Sequence, residues 1–198
     1  MVAIAIDGQY AGHIVLSDCP KQDAAHAIEH LKRQGIETVM LSGDRQALAN
    51  EVARQLGIDE AHGDLLPQDK VAHIERIMRD SDKQVAFVGD GINDAPVLAM
   101  SDVGIALGGL GSDMAVETAD VVIQTDQPSR VADAVALGRR TRRIVTQNIA
   151  FAIGVKVLVM ILGVLGIANL WEAVFADVGV ALLCVLNSLR LMRLSDNE

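Results

Sequence analysis

The twenty residues Gly89–Gly108, GDGINDAPVLAMSDVGIALG, decide how this chain is read. They follow an apolar run, Val85–Val88, that reads as a buried strand. Gly89 and Gly91 let the backbone turn tightly, so that the carboxylates of Asp90 and Asp94 can converge. Hard oxygen ligands of this kind suit Mg2+, which keeps waters and a phosphate oxygen in its remaining positions. Mg2+ then screens the charge of a transferring phosphoryl group. A lone Gly-Asp-Gly would carry little weight. The full run, with a helix near Pro96–Met100 and a strand near Val103–Leu107, is far more specific.

Outward from that segment, strand and helix patterns alternate. Val2–Ile6 and His13–Leu16 are apolar runs around Asp7-Gly8-Gln9-Tyr10, the pattern of a β-hairpin. Ala24, Ala25, Ile28 and Leu31 have helical spacing, with Gly35 as the stop. Thr38–Leu41 reads as a strand ending in Ser42-Gly43-Asp44, and a helix around Gln46–Leu56 closes at Gly57. Pro67 opens a helix that carries Val71, Ile74, Ile77 and Met78 on one face. Val121–Ile123 is a last strand. Alternation of this kind implies βαβ units, hence a parallel sheet with helices on both faces. Ligands of such sheets sit beyond the carboxyl ends of the strands. Both Ser42-Gly43-Asp44 and Gly89-Asp90-Gly91 occupy that position, and Lys70 would act as a point charge on phosphate.

The second part of the chain has a different chemistry. The whole is 51% apolar with a mean hydropathy of +0.30. Residues 1–138 carry 10 Lys+Arg against 22 Asp+Glu, and residues 139–198 carry 7 against 4. An acidic module joined to a basic, apolar one suggests a cytosolic domain on a membrane anchor, and it argues against nucleic acid as a partner. Asn148 to Ala168 has Lys156 as its only charge, and Leu170 to Leu189 has only Glu172 and Asp177. Each run is long enough to cross a hydrocarbon core of about 30 Å, giving spans at about 147–168 and 170–190. Arg139, Arg140, Arg142 and Arg143 precede the first run, while Arg190 and Arg193 follow the second. Both ends of the segment are therefore expected in the cytoplasm, on a multi-pass plasma or inner membrane protein in contact with lipid. The alternative is a buried helical hairpin of a soluble protein. With the turn centred near Ala168–Asn169, Lys156 and Asp177 differ in depth by roughly 5 Å, within reach of a lysine stem. An ionisable pair inside a span suggests a transport site, or else a structural bridge.

The run from Gly89 to Gly108 resembles the hinge motif of P-type ATPases, pumps with a haloacid-dehalogenase-like phosphorylation domain. Ser42-Gly43-Asp44 looks like that family's TGD motif, with serine for threonine, and Pro67-Gln68-Asp69-Lys70 like the segment carrying its phosphate-binding lysine. Asp18 to Lys21 resembles a stretch where relatives place an aspartate and a basic residue. Asn148, seven residues, Lys156, twenty residues, then Asp177-Val178-Gly179 is similar to the Zn2+/Cd2+/Pb2+ subgroup, whereas the Tyr-Asn and Met-x-x-Ser-Ser of copper pumps are absent. The resemblance implies a Rossmann-like α/β phosphorylation domain over 1–138, with a remnant of the hinge to a nucleotide-binding domain, followed by a transmembrane α-helical hairpin over 139–198. It implies ATP as phosphoryl donor and Mg2+ held by Asp90 and Asp94 with Asn93 in support. Ser42 and Lys70 would hold phosphoryl oxygens, while Gly43 and Asp44 belong to the dephosphorylation machinery. Asp177 would ligate a soft divalent cation, with Lys156 as its partner.

DKTGT, the family's phosphorylated motif, does not occur, nor does a DxDx[TV] nucleophile. By this reading the chain opens in mid-strand as part of a larger pump, needs an N-terminal remainder, and is inactive alone. The other readings are a membrane-tethered dehalogenase-type phosphatase and a non-catalytic remnant that associates with an intact pump. His26 and His30 are four apart on a helix but lack a third ligand nearby. Gly108-Gly109-Leu110-Gly111 has the wrong spacing for a dinucleotide loop. Cys184 is expected to pack rather than ligate, and Cys19 is too distant in sequence to suggest a disulfide with it.

Overall fold

The computed structural model describes residues 2–14, 19–80, 83–89, 94–108, 117–167 and 169–194. It forms two compact units, Met1–Ala132 and Asp133–Glu198.

The first unit opens with a hairpin of β1 (Val2–Ile6) and β2 (Gln9–Ile14). The turn is only two residues long, Asp7 and Gly8, with φ of 52° and 76°. Asp-Gly is the pair that accepts two left-handed residues in a row, and such turns match the twist of the flanking strands. The turn chemistry therefore draws Gln9 and Tyr10 into the second strand, four residues before the expected start at His13. Leu16, the expected end, lies outside the described residues.

The α/β part then runs α1 (Ala24–Arg33), β3 (Val39–Leu41), α2 (Gln46–Leu56), β4 (Glu60–His62), α3 (Pro67–Asp80), β5 (Ala86–Gly89), α4 (Ala95–Met100), β6 (Val103–Leu107) and β7 (Val121–Ile123). Every ladder among these strands is parallel, in two pieces: β3 with β4, and β5-β6-β7 in that order. Strand β4 was not expected, because Glu-Ala-His has no apolar pattern. Its place is set by pairing with β3 and by Asp59, which accepts hydrogen bonds from the Thr38 N–H (2.9 Å) and hydroxyl (2.8 Å) and pairs with Lys32 (2.6 Å). The largest fully buried side chains among the described residues are Val97 and Leu98 of α4, and Leu98 packs with Ala106, Phe87 and Ala119. Helix α4 lies so close to β6 that a Cβ on Gly104 would come within 2.7 Å of the Leu98 carbonyl oxygen. Elsewhere the core is built from small side chains, Ala27, Ala49 and Ala53, with Ile74 from α3.

The next helix, α5, runs unbroken from Ser129 to Val164. At 1.5 Å per residue it is about 54 Å long. Its first turn is anchored in the first unit: the Ser129 N–H donates to Asp23 (3.0 Å) and the Gln34 amide donates to the Ala132 carbonyl (3.0 Å). The arginines at 139–143 are good helix formers, so charge there does not interrupt the backbone. The helix that holds the expected first span thus begins well before residue 147 and ends at Val164. Gly166, at φ 72°, stops it: its N–H donates to Gly163 O (3.0 Å) and that of Ile167 to Leu162 O (2.9 Å), a Schellman closure. Ala168 lies outside the described residues. Helix α6 (Leu170–Ser188) starts with a capping box in which the Asn169 side chain accepts from Glu172 N, as well as from Trp171 N, and the Glu172 side chain accepts from Asn169 N. A 3-10 segment, Leu189–Leu194, follows. Both helices are long and apolar enough to cross a membrane. Their large apolar side chains point outward, with Val164 89%, Phe175 75% and Trp171 72% exposed.

Candidate functional site

The first cluster lies at the carboxyl end of β3. The Ser42 hydroxyl donates to the Asp44 carboxylate (3.0 Å) and accepts from the Asp44 N–H (3.1 Å), which folds Ser42-Gly43-Asp44 into a tight polar turn. The segment after β4 holds this turn in place. Ser42 N–H donates to His62 O (2.9 Å), Leu65 N–H to Ser42 O (3.1 Å) and Asp64 N–H to Asp44 O (2.6 Å). Gln46 completes the seam, accepting from Gly63 N–H (2.7 Å) and donating to Ala61 O (2.9 Å), while its own N–H donates to Asp64 (3.0 Å). No side chain fits at Gly63, where a Cβ would stand 2.5 Å from the Gln46 Cα and 2.7 Å from the Asp44 carbonyl oxygen. Gln46, Gly63 and Asp64 escape sequence reasoning. The only trace they leave is a Gly-Asp pair shortly before Pro67.

The second cluster joins α3 to the start of α4. Lys70, in the first turns of α3, donates from Nζ to Asp94 Oδ1 at 2.9 Å, and the two side chains are 18% and 17% exposed. Asp94 is tucked beneath the end of β5, so a Cβ on Gly89 would meet its Cβ at 3.0 Å and its Oδ2 at 3.1 Å. Glycine at 89 is what leaves room for a carboxylate there. One Asp94 oxygen is engaged by Lys70, and the half-buried carboxylate is a hard donor of the type Mg2+ takes. Asp90, Gly91 and Asn93 lie outside the described residues, as do Asp18, Gly109, Leu110 and Gly111. The structure thus pairs Ser42 with Asp44 and Lys70 with Asp94.

In the second unit, Lys156 Nζ lies 3.0 Å from Asp177 Oδ1 across α5 and α6, with the side chains 66% and 63% exposed. A groove of about 600 Å3, lined by both residues and by Val159, Met160, Ala173 and Ala176, opens beside the pair. Two helices alone therefore bring the charges together without enclosing them. Cys184 offers its thiol to the Asn148 carbonyl oxygen (3.7 Å) and is half-buried. The His26 and His30 rings lie 6.2 Å apart, and no group of three or more metal-ligating side chains occurs among the described residues.

A family model for haloacid dehalogenase-like hydrolases matches residues 2–102. The chain belongs to the haloacid dehalogenase-like hydrolase family. This haloacid dehalogenase-like chain is 56% identical over 195 residues to a zinc-transporting ATPase of Synechocystis sp., covering 98% of itself and 27% of that protein. It is 55% identical over 200 residues to a cadmium, zinc and cobalt-transporting ATPase of Bacillus subtilis, at 99% and 28% coverage. The crystal structure of a zinc-transporting PIB-type ATPase in its E2·Pi state matches with a TM-score of 0.85 and 37% identity, over 96% of this chain and 31% of that one. The chain spans about a quarter of the length of the curated relatives it matches. A haloacid-dehalogenase-like α/β domain followed by two helices fit to cross a membrane is the architecture the motifs implied. Cobalt joins zinc and cadmium in the relatives' names, and the expectation of lead finds no support there.

Proposed function

We propose that this chain is part of an ATP-driven exporter of soft divalent cations that works through a phosphoenzyme, with residues 1–138 acting on the phosphoryl group and 139–198 on the cargo. The observation that carries the reading is the Lys156–Asp177 pair, 3.0 Å apart in an otherwise apolar hairpin. Its support is 56% identity to a zinc-transporting ATPase. A lone carboxylate in lipid is costly. Asp177 serves as a ligand when a cation is present, and the Lys156 ammonium supplies the counter-charge when the cation leaves. The Asp177 carboxylate is then compensated in both states.

At the other end, Lys70 neutralises phosphoryl oxygens and Ser42 donates to them by turning its hydroxyl proton from the Asp44 carboxylate, while the Asp44 N–H holds the Ser42 oxygen in place. Asp94 and Asp90 would hold Mg2+, with Asn93 in support. When bound, the ion screens charge on the transferring phosphoryl group. Asp94 and Lys70 also compensate each other's charge in the absence of ligand. The phosphorylated aspartate and most of the ATP site belong to the remainder of the pump. The arginines before and after the hairpin support a reading with both of its ends in the cytoplasm, where ATP and Mg2+ are.

Zn2+ is the first cargo expected, with Cd2+ and Co2+ following the relatives' names and Pb2+ the subgroup motif. In the intact pump, Asp177→Ala is expected to abolish Zn2+-stimulated ATP hydrolysis, measured as phosphate release across a metal titration. Unchanged stimulation would remove Asp177 from the cargo site.

A further inference from the structure

The groove beside Lys156 and Asp177 has a consequence for how α5 and α6 keep their register. With a groove of about 600 Å3 open beside the pair at that level, interlocking side chains such as the buried Val180 close only part of the helix interface there. About 12 Å along α5, at the arginine-flanked end of the hairpin, a polar cluster shares in keeping that register. The Asn148 amide donates to Cys184 O (3.2 Å) and to the Ser188 hydroxyl (3.0 Å), and its carbonyl oxygen accepts from the Asn187 amide (2.8 Å). Asn187 is steadied in turn by Arg190 (3.2 Å), and Ser188 donates back to Cys184 O (2.9 Å). One α5 side chain thus bonds three groups spread over a full turn of α6.

That arrangement measures both rotation and translation. Cys184 and Ser188 are four residues apart on one face of α6, and Asn148 sits between them. Asp177 lies seven residues before Cys184, which returns it to nearly the same face. A slip of α6 by one residue turns that face by about 100° and breaks all three bonds together.

We infer that Asn148 is a positioning residue: its carboxamide, through Cys184, Asn187 and Ser188, sets the register of α6 against α5 and so keeps Asp177 opposite Lys156. The geometric claim stands by itself, and its consequence for transport rests on the reading of Asp177 as cargo ligand.

The test uses the full chain in lipid nanodiscs and a hydrophobic carbodiimide, which condenses Lys156 and Asp177 into an amide with loss of water when the two meet. The mass of the cross-linked peptide pair reports the yield. Asn148→Leu is expected to lower the yield about threefold or more, with helix content by circular dichroism unchanged. Asn187→Leu is expected to lower it as well, and the double variant to lose less than the sum of the two. An unchanged yield in both single variants, or a yield that falls only together with helix content, overturns the inference. If Asn148→Leu does not insert, Asn187→Leu decides alone by the same criterion. In the intact pump, Asn148→Leu is expected to raise the KM for Zn2+ several-fold with a smaller change in kcat, and an unchanged KM overturns the link to transport. Persisting Zn2+ stimulation in Asp177→Ala would instead overturn the cargo reading and leave the cross-linking result in force.

Discussion

Ser42, Asp44, Lys70 and Asp94, the residues proposed to carry the chemistry, were singled out in the sequence by side-chain type and motif. Their supports were invisible because a support is defined by what it touches. Gly63 is the sharpest case: nothing in its neighbours says that the Gln46 and Asp44 backbones pass within 2.7 Å of where a Cβ would be. Gly63→Ala is therefore expected to destabilise the chain by about 1–3 kcal/mol, read as a lower Tm in detergent, although alanine is a better residue than glycine in most settings. Lys70→Met should act twice. Asp94, only 17% exposed, loses its partner, at a cost of about 1–3 kcal/mol. In the intact pump ATP hydrolysis is expected to fall by about 10²-fold, measured at saturating Zn2+.

Elements were legible where periodicity and end signals agree. Gly57 marks where the helix Gln46–Leu56 closes, and Pro67 marks where α3 starts. The errors fall where local chemistry gives no sign. Strand β4 is recruited by its neighbour, and β2 begins early because of its turn. The Asn169 cap is a local feature with a local test: Asn169→Ala is expected to cost about 1 kcal/mol, seen as fraying of the α6 start in hydrogen exchange. The link between β3 and β4 should show in acid. Lys32, then the Thr38 N–H and hydroxyl, hold the Asp59 carboxyl down at about 2. A folded value below the ordinary one stabilises fully above about pH 4, and that stabilisation is lost as the pH falls toward 2. Asp59→Asn is accordingly expected to lower Tm at pH 6, with parent and variant converging near pH 2.

At the scale of the whole molecule, the α/β unit has two parallel ladders where the alternating pattern suggested one sheet. Among the described residues β3 pairs only with β4, and β5 only with β6. Val39 and Val88, on those strands, remain 37% and 38% exposed. Apolar strand faces left this open accord with a chain that covers about a quarter of its relatives' length. Purified alone, the chain is expected to release no phosphate from ATP with Mg2+ and Zn2+ present, because no nucleophilic aspartate motif lies in it. Turnover in that assay would favour the tethered-phosphatase reading over the pump.

Composition and periodicity determined, without coordinates, an acidic α/β module and an apolar helix pair, and motif resemblance singled out the carboxylates and lysines proposed to act, because side-chain type and spacing are local properties of a chain. Tertiary structure decided the rest: that Lys70 reaches Asp94, that Gly63 admits no side chain, that α5 continues through the arginines, and that Asn148 spans to Cys184 and Ser188. Each of these is a distance between residues far apart in sequence, and such distances exist only once packing and hydrogen bonding have fixed the backbone.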